Sequence, residues 1–235
     1  TTYDYERPAV SAIHELAPDN YFYAEGRKVK VDQINLNLSE IEEWRFCDRC
    51  SHMELVARGG TTSTCPSCGS VLWSDEGQKK QMIRMRQVMA TTPDYASRIQ
   101  DDSDEREPEF FHKQILLDMA ESSVEAACRV NDEEFPFGGE VVEKVIFREM
   151  NFGKRENAGN TLMIAGKEFP QNGFPICRSC GKVQNGEMPV HTRDCNKRAA
   201  DPAKAIHDFL YLYREFNSQA LRILLRLLPP PGLPD

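Results

Sequence analysis

The chain has 235 residues, of which 40% are hydrophobic and 9% aromatic, so it is long and apolar enough to bury a core. No stretch reaches the roughly 18 apolar residues of a membrane-spanning helix, and the first residues lack the basic and apolar parts of a signal peptide. The formal net charge of -8 argues against attraction of nucleic acid to the whole surface. We therefore expect a soluble, cytoplasmic protein with no membrane partner.

The amino-terminal segment predicts a helix followed by a β-hairpin. Apolar residues at helical spacing predict a helix over residues 7–16. Residues 21–24 and 28–34 then alternate apolar and polar side chains around a Glu-Gly-Arg turn. This alternation is typical of two antiparallel strands.

Two Cys-x-x-Cys pairs follow, separated by 14 residues. Their members are Cys47, Cys50, Cys65 and Cys68. Two residues between thiolates let a tight turn direct both sulfurs at one ion about 2.3 Å away, and a second pair completes a tetrahedron. Gly69 follows the last cysteine, where a positive φ is often needed. The pattern predicts a four-cysteine zinc ribbon. The alternatives are disulfide or redox chemistry, and replacement of one thiolate by His52.

The ribbon should span about residues 44–73, with Trp44 and Trp73 flanking it as packing anchors. Residues 78–89 carry methionines among basic side chains, a pattern that fits either a helix or a strand. The acidic residues at 101–110 predict a solvated loop.

Strands are expected in the middle of the chain. Short apolar stretches with β-branched residues predict at least three strands within residues 112–130 and 139–152, and another at 161–165. Cys128 has no partner at metal-ligand spacing, and we expect it to be a small buried hydrophobic residue.

A third Cys-x-x-Cys pair has no fourth pair, so its remaining ligands must come from other residues. The set we assign is Cys177, Cys180, His191 and Cys195. Three residues separate His191 from Cys195, so these two ligands can lie one helical turn apart on one face. The alternative is a surface histidine and a buried thiol. Because each of the two sets has four protein ligands and no open position, we expect two structural Zn²⁺ ions.

The last segment predicts the clearest helix of the chain, over residues 201–228. Its apolar stripe consists of Ile206, Phe209, Tyr213, Phe216, Ala220, Ile223, Leu224 and Leu227. Asp201 and Pro202 suit an N-cap and the first helical position. We interpret the stripe as core, with a partner-docking groove as the alternative. The predicted fold class is α+β, with mixed strands and helices organised around two zinc modules and a long amphipathic carboxy-terminal helix.

We divide the chain into three parts. Residues 1–100 hold the hairpin and the four-cysteine ribbon, and residues 101–110 form the acidic loop. Residues 111–235 combine a β-rich segment with the Cys-Cys-His-Cys module and the final helix. The sequence contains no common phosphate-binding loop, nucleophile elbow or metalloprotease signature. We therefore expect no catalytic residue and no ATP hydrolysis in this chain.

Several segments together resemble one family. Besides the cysteine pairs they are residues 7–18, Gly26-Arg27-Lys28, Asn151-Phe152-Gly153, Gly173-Phe174 and Glu215-Phe216-Asn217-Ser218-Gln219-Ala220-Leu221-Arg222-Ile223-Leu224-Leu225. In these segments the chain is similar to the carboxy-terminal region of large superfamily 2 DEAD/DEAH-type helicases, which includes the zinc-binding domain of the mitomycin repair factor A type. It also resembles the helicase-associated subunits of the DISARM and Druantia antiphage systems.

The resemblance implies a DNA-related role in lesion repair or antiviral defence, with ATP hydrolysis in helicase domains outside this segment. It also implies that the ligand positions of the family's four-cysteine cluster correspond to Cys177, Cys180 and Cys195, with His191 in place of one cysteine. The chain begins without a methionine and ends in a proline-rich stretch, so we expect it to be a piece of a longer protein. That parent would be an ATP-dependent DNA helicase or its partner subunit.

The sequence leaves two functions open. In the first, the chain is a structural zinc-binding accessory domain of a DNA helicase that engages DNA or positions the helicase core. The DNA contacts are then expected from basic residues around the second zinc module, namely Arg178, Lys182, Arg193, Lys197 and Arg198. In the second, it is a docking scaffold within a repair or defence complex that touches DNA little. The family favours the first function, and the net charge favours the second.

Overall fold

The structure of the chain, a computed structural model, describes seven stretches of the sequence. They are residues 2–99, 110–131, 137–155, 161–170, 172–184, 190–196 and 208–225. The acidic loop predicted at 101–110 lies outside these stretches except for its last residue.

The described stretches form two short α-helices, fourteen strands and three 3-10 helices, the last at Val71–Ser74, Glu76–Gln78 and Glu121–Ser123. The α-helices are α1 (Ala9–Glu15) and α2 (Asp94–Ser97). The strands are β1 (Tyr21–Ala24), β2 (Arg27–Lys30), β3 (Gln33–Ile34), β4 (Glu40–Phe46), β5 (Met53–Leu55), β6 (Lys79–Arg84), β7 (Val88–Met89), β8 (Phe111–Asp118), β9 (Val124–Val130), β10 (Phe137–Lys154), β11 (Thr161–Ile164), β12 (Lys167–Pro170), β13 (Phe174–Ile176) and β14 (Asp208–Leu225).

Most strands belong to one eight-stranded sheet. Its order is β5-β4-β6-β14-β10-β8, with β13 beside β14 and β9 beside β10. The pairing of β6 with β14 is parallel, whereas β4 pairs antiparallel with both β5 and β6. Three further sheets are two-stranded: β1-β2, β3-β7 and β11-β12.

Two compact units make up the chain. The first comprises residues 1–115 and 149–214, and the second comprises residues 116–148 and 215–235. The chain passes between the units within β8, β10 and β14. The three-part division drawn from the sequence stays a prediction.

The apolar core of the first unit joins α1 to strands from distant parts of the chain. It contains Ile13 of α1, Ile34 of β3, Ile83 of β6, Phe174 of β13 and Leu212 of β14, all buried. In the parallel pair, Leu212 lies opposite Ile83. Burial of each such side chain contributes on the order of 2 kcal/mol, so this cluster holds α1 and β3 against the sheet.

The elements predicted for the amino-terminal half are largely confirmed. Helix α1 lies within the predicted residues 7–16, and β1 and β2 form the predicted hairpin. Residues 78–89, for which helix and strand were both open, form β6 and β7. The strands expected in the middle of the chain are present as β8 to β11.

The predicted carboxy-terminal helix is wrong, because residues 208–225 form the long strand β14. Its inner part pairs with β6 on one side and with β13 on the other. The four consecutive residues Leu210 to Tyr213 are all buried, so both faces of the strand are covered. A helix would present only one stripe of this apolar run to the core. The flanking residues 201–207 and 226–228 of the predicted helix lie outside the described stretches. The fold is therefore mostly β, rather than the α+β arrangement expected.

The second unit is built on the outer parts of β10 and β14. Within it Arg148 forms ion pairs with Asp118 at 3.0 Å and with Glu215 at 2.7 Å, and Phe147 stacks on Phe216 at 5.0 Å between ring centroids. Cys128 also lies here, and the expectation that it is buried is wrong. Residues 125–130 of β9 are all exposed, so neither face of this part of the strand is covered and the thiol is exposed with it.

No helix in the described part of the chain combines the length and apolarity needed to cross a membrane.

Candidate metal centres

The four cysteines of the ribbon meet in one cluster. All four sulfurs of Cys47, Cys50, Cys65 and Cys68 lie within 4.8 Å of one another. The Sγ atoms of Cys47 and Cys68 are 3.4 Å apart, and those of Cys50 and Cys65 are 3.6 Å apart. A disulfide needs about 2.05 Å between sulfurs, so these are free thiols held side by side.

The second predicted set also meets in one cluster. The ligand atoms of Cys177, Cys180, His191 and Cys195 lie within 4.8 Å of one another. The Cys177 and Cys195 sulfurs are 3.9 Å apart, and His191 Nδ1 lies 3.8 Å from Cys180 Sγ and 3.6 Å from Cys195 Sγ. The histidine thus joins the cluster through Nδ1.

Both clusters have the dimensions of a tetrahedral metal site. Zn–S bonds of about 2.3 Å imply sulfur–sulfur edges of about 3.8 Å, and a Zn–N bond of about 2.0 Å shortens a sulfur–nitrogen edge to about 3.5 Å. Five of the ligand-atom distances, 3.4 to 3.9 Å, match these edges, and all the other pairs lie within 4.8 Å. Each cluster can therefore hold one metal ion with four protein ligands.

The three Cys-x-x-Cys turns share one closing hydrogen bond. The N–H of the first cysteine donates to the carbonyl oxygen five residues later, from Cys47 to His52 at 3.0 Å, Cys65 to Ser70 at 2.9 Å and Cys177 to Lys182 at 2.9 Å. In the second and third turns a glycine follows the second cysteine, and Gly69 and Gly181 both have a φ of +74°. The turns expected from the spacing are confirmed, and their closure leaves both sulfurs on one side.

The surroundings of the clusters raise the pKa of some thiols and lower that of others. Burial raises the pKa of Cys47 far above its ordinary value and that of Cys177 to about 11. Burial also opposes ionisation of Cys180, but hydrogen bonds from the backbone N–H groups of Thr192 and Lys182 lower its pKa to about 6. A buried thiol with a raised pKa becomes a thiolate when a cation compensates its charge, which is the property of a metal ligand.

The first cluster rests on a small core of its own. Trp73 is fully buried and packs against Cys47 and Cys65. The two turns are also joined by a polar bond, since the buried Ser70 hydroxyl donates to Asp48 Oδ1 at 2.5 Å. Trp73 acts as a packing anchor as predicted.

His52, considered as an alternative ligand, is not part of the four-cysteine cluster. Its ring lies against Trp73 with 5.1 Å between ring centroids, and its carbonyl closes the first turn.

A hairpin distant in sequence holds the first turn in place. The backbone N–H groups of Ala165 and Gly166, at the tip of the β11-β12 hairpin, donate to the carbonyls of Cys47 at 3.0 Å and Asp48 at 2.7 Å. Both tip residues have positive φ, as the two central residues of a type I′ hairpin turn require. The sequence contains no signal for this contact, because it joins segments more than a hundred residues apart.

The second cluster is attached directly to the main core. Ile34 N–H donates to Gly181 O at 2.9 Å, and Gln33 Nε2 donates to Cys180 O at 2.7 Å. A side chain at Gly181 would place its Cβ 1.9 Å from the Ile34 carbonyl oxygen. The third turn therefore lies against β3 so closely that only glycine fits. The role of Gln33 was not predicted, since nothing in its local sequence marks it.

The basic residues predicted to contact DNA differ in their surroundings. Arg178 and Arg193 are exposed beside the second cluster. Lys182 is half-buried, and its ammonium forms an ion pair with Asp32 at 2.8 Å. Lys197 and Arg198 lie outside the described stretches. The DNA contacts of this set stay a prediction.

Comparisons with protein-family models, with curated proteins and with solved structures give no match for this chain. Its two candidate metal centres therefore rest on their own geometry.

Proposed function

We propose that each cluster holds one structural Zn²⁺ ion. The observation that carries this proposal is that the four ligand atoms of each cluster lie within 4.8 Å of one another, with five distances of 3.4 to 3.9 Å that correspond to the edges of a zinc tetrahedron. Thiolate and imidazole ligands select zinc among the abundant divalent ions, and four protein ligands leave no position for water or substrate. The metal supplies folding free energy, while Asp48, Ser70 and Gln33 orient the turns that carry the ligands.

The proposed biological role is that of an accessory module of a DNA helicase. The resemblance to superfamily 2 helicases supports this role, and so does the position of Arg178 and Arg193 on the surface beside the second cluster. The bound metal fixes the backbone that carries these arginines. Their guanidinium groups can therefore contact phosphates at constant positions. In this role the chain catalyses no reaction, and it positions nucleic acid for ATP-driven domains elsewhere in the parent.

Replacing Arg193 with glutamine tests this role. We expect the zinc-loaded chain to bind single- or double-stranded DNA with an affinity that falls steeply with salt, because counterions leave the phosphates. Arg193→Gln should weaken binding about equally on all sequences and reduce the log-log salt slope by roughly 0.7 to 0.9. The measurement is a fluorescence anisotropy titration at several salt concentrations.

Lys167→Gln is the matched control, since Lys167 is an exposed cation on β12 of the same unit. If Arg193→Gln binds as the control does, phosphate contact through the second metal module is wrong.

A docking scaffold is the second candidate, and the outer part of β14 favours it. Leu221, Ile223 and Leu225 alternate along the strand and are 61 to 67% exposed. Exposed apolar stripes of this kind occur at protein interfaces. In this function the stripe binds the helicase core of the parent. Leu221→Ser together with Ile223→Ser should then abolish association with that core and leave DNA binding unchanged, whereas an unchanged association contradicts docking through this strand.

A further inference from the structure

The hairpin of β1 and β2 has one face that combines tyrosine with lysine. Tyr21 lies opposite Lys30 and Tyr23 lies opposite Lys28, and directly opposed residues share a face of an antiparallel pair. The side chains meet there, since Lys28 Nζ lies 4.5 Å from the Tyr21 ring centroid and 5.7 Å from that of Tyr23, and Lys30 Nζ lies 5.4 Å from that of Tyr21.

The other face attaches the hairpin to the first unit. Phe22 is buried there, with the Tyr5 ring at 5.7 Å. Arg27 forms an ion pair with Asp94 of α2 at 2.5 Å. The tyrosine-lysine face is therefore presented by a hairpin that is fixed from behind.

Positive charge predominates on the tyrosine-lysine face. Asp19 forms ion pairs with both Lys30 at 2.6 Å and Lys154 at 3.1 Å, so one carboxylate serves two ammonium groups. Within the part of the chain that the structure describes, Lys28 has no ion-pair partner. The face itself carries Lys28 and Lys30, and Asp19 neutralises one of them, so a positive charge remains on this face in a chain whose formal net charge is -8.

We propose that the tyrosine-lysine face of the hairpin binds single-stranded nucleic acid. Tyr21 and Tyr23 are two positions apart on one strand, about 7 Å, and proteins use aromatic residues on adjacent sheet positions to stack unpaired bases. Lys28 and Lys30, now over the rings, reach the phosphates that flank the stacked bases. A double-stranded ligand has its bases already stacked, so it gains no contact from the tyrosines.

This inference rests on the proposed nucleic-acid role and assigns it to a surface distinct from the second metal module. The face contains none of the basic residues predicted from the sequence.

The test is an anisotropy titration of the zinc-loaded chain with an oligothymidine, an oligouridine and a duplex of about 15 nucleotides each, at about 50 mM salt. Tyr21 is 41% exposed, so Tyr21→Leu and Tyr21→Phe should both fold. We expect Tyr21→Leu to weaken single-strand binding about tenfold and Tyr21→Phe, which keeps the ring, to bind as the parent does. Lys28→Gln should reduce the salt slope by about 0.7. Comparison of the affinities for oligothymidine and oligouridine shows whether the ligand is DNA or RNA.

The controls are Tyr95→Leu and Lys167→Gln, which remove an exposed tyrosine and an exposed lysine elsewhere in the unit. If Tyr21→Leu and Lys28→Gln bind as these controls do while Arg193→Gln weakens binding, the hairpin assignment is wrong and the nucleic-acid role stands. If the parent chain binds none of the three ligands, the role and the hairpin assignment are both wrong.

Discussion

Replacing Cys177 with serine is expected to eliminate the second metal ion and to unfold the first unit. The cysteine directly follows β13, whose residues Phe174 and Ile176 belong to the main core. Structural zinc contributes about 10–16 kcal/mol in small zinc domains, and a whole domain is stable by about 5–15 kcal/mol. Because β13 belongs to the main core, this loss cannot stay confined to the second metal module. Circular dichroism and thermal unfolding of the Cys177→Ser variant measure this loss of folded structure.

Cys128→Ser is the control, because the exposed Cys128 is a cysteine outside both clusters. It should change the free energy of unfolding by less than about 0.5 kcal/mol. Cys65→Ser provides a second comparison, since the first cluster has its separate small core around Trp73. We expect it to melt the ribbon and leave most of the strand signal. A Cys177→Ser variant as stable as Cys128→Ser contradicts the structural role of the second cluster.

Gly181→Ala is expected to destabilise the chain by about 4 kcal/mol or more. The new Cβ would lie 1.9 Å from the Ile34 carbonyl oxygen, and backbone at this contact cannot move without separating β3 from the third cysteine turn. Denaturant unfolding gives the change in free energy.

Gly69→Ala isolates the cost of the clash. Gly69 occupies the equivalent position of the second turn with the same φ of +74°, but a Cβ added there would meet no atom within 4 Å. Only the left-handed backbone penalty remains there, about 1–2 kcal/mol. If Gly181→Ala and Gly69→Ala destabilise the chain equally, the close approach of the third turn to β3 is wrong.

The metal clusters could be predicted from the sequence because their ligands are local. Two residues between cysteines determine a turn, and two turns or a turn plus two ligands complete a tetrahedron wherever the chain brings them together. The contacts that support the clusters could not be predicted in this way. The donation from Gly166 to Asp48 and the contact between Gln33 and Cys180 both join segments more than a hundred residues apart.

The final segment shows why periodicity alone misled. Phe209, Tyr213 and Phe216 recur at helical spacing, but Leu210, Tyr211 and Leu212 fill the intervening positions. A continuous apolar run fits a strand buried on both faces as well as a buried helix. The choice depends on neighbouring strands, and β6, β10 and β13 come from three separate regions of the chain. For the same reason the exposure of Cys128 depends on whether other segments cover the faces of β9, and here they leave residues 125–130 exposed.

Native mass spectrometry of the purified chain, with elemental analysis of the same sample, tests the central claim most directly. Two zinc ions should be bound per chain, with one remaining in Cys65→Ser and two in Cys128→Ser. Acidification should release both, because protons compete with the metal for thiolate and imidazole. A folded chain without metal, or one whose cluster cysteines are joined as disulfides under non-reducing conditions, would contradict the assignment of these clusters as structural zinc sites.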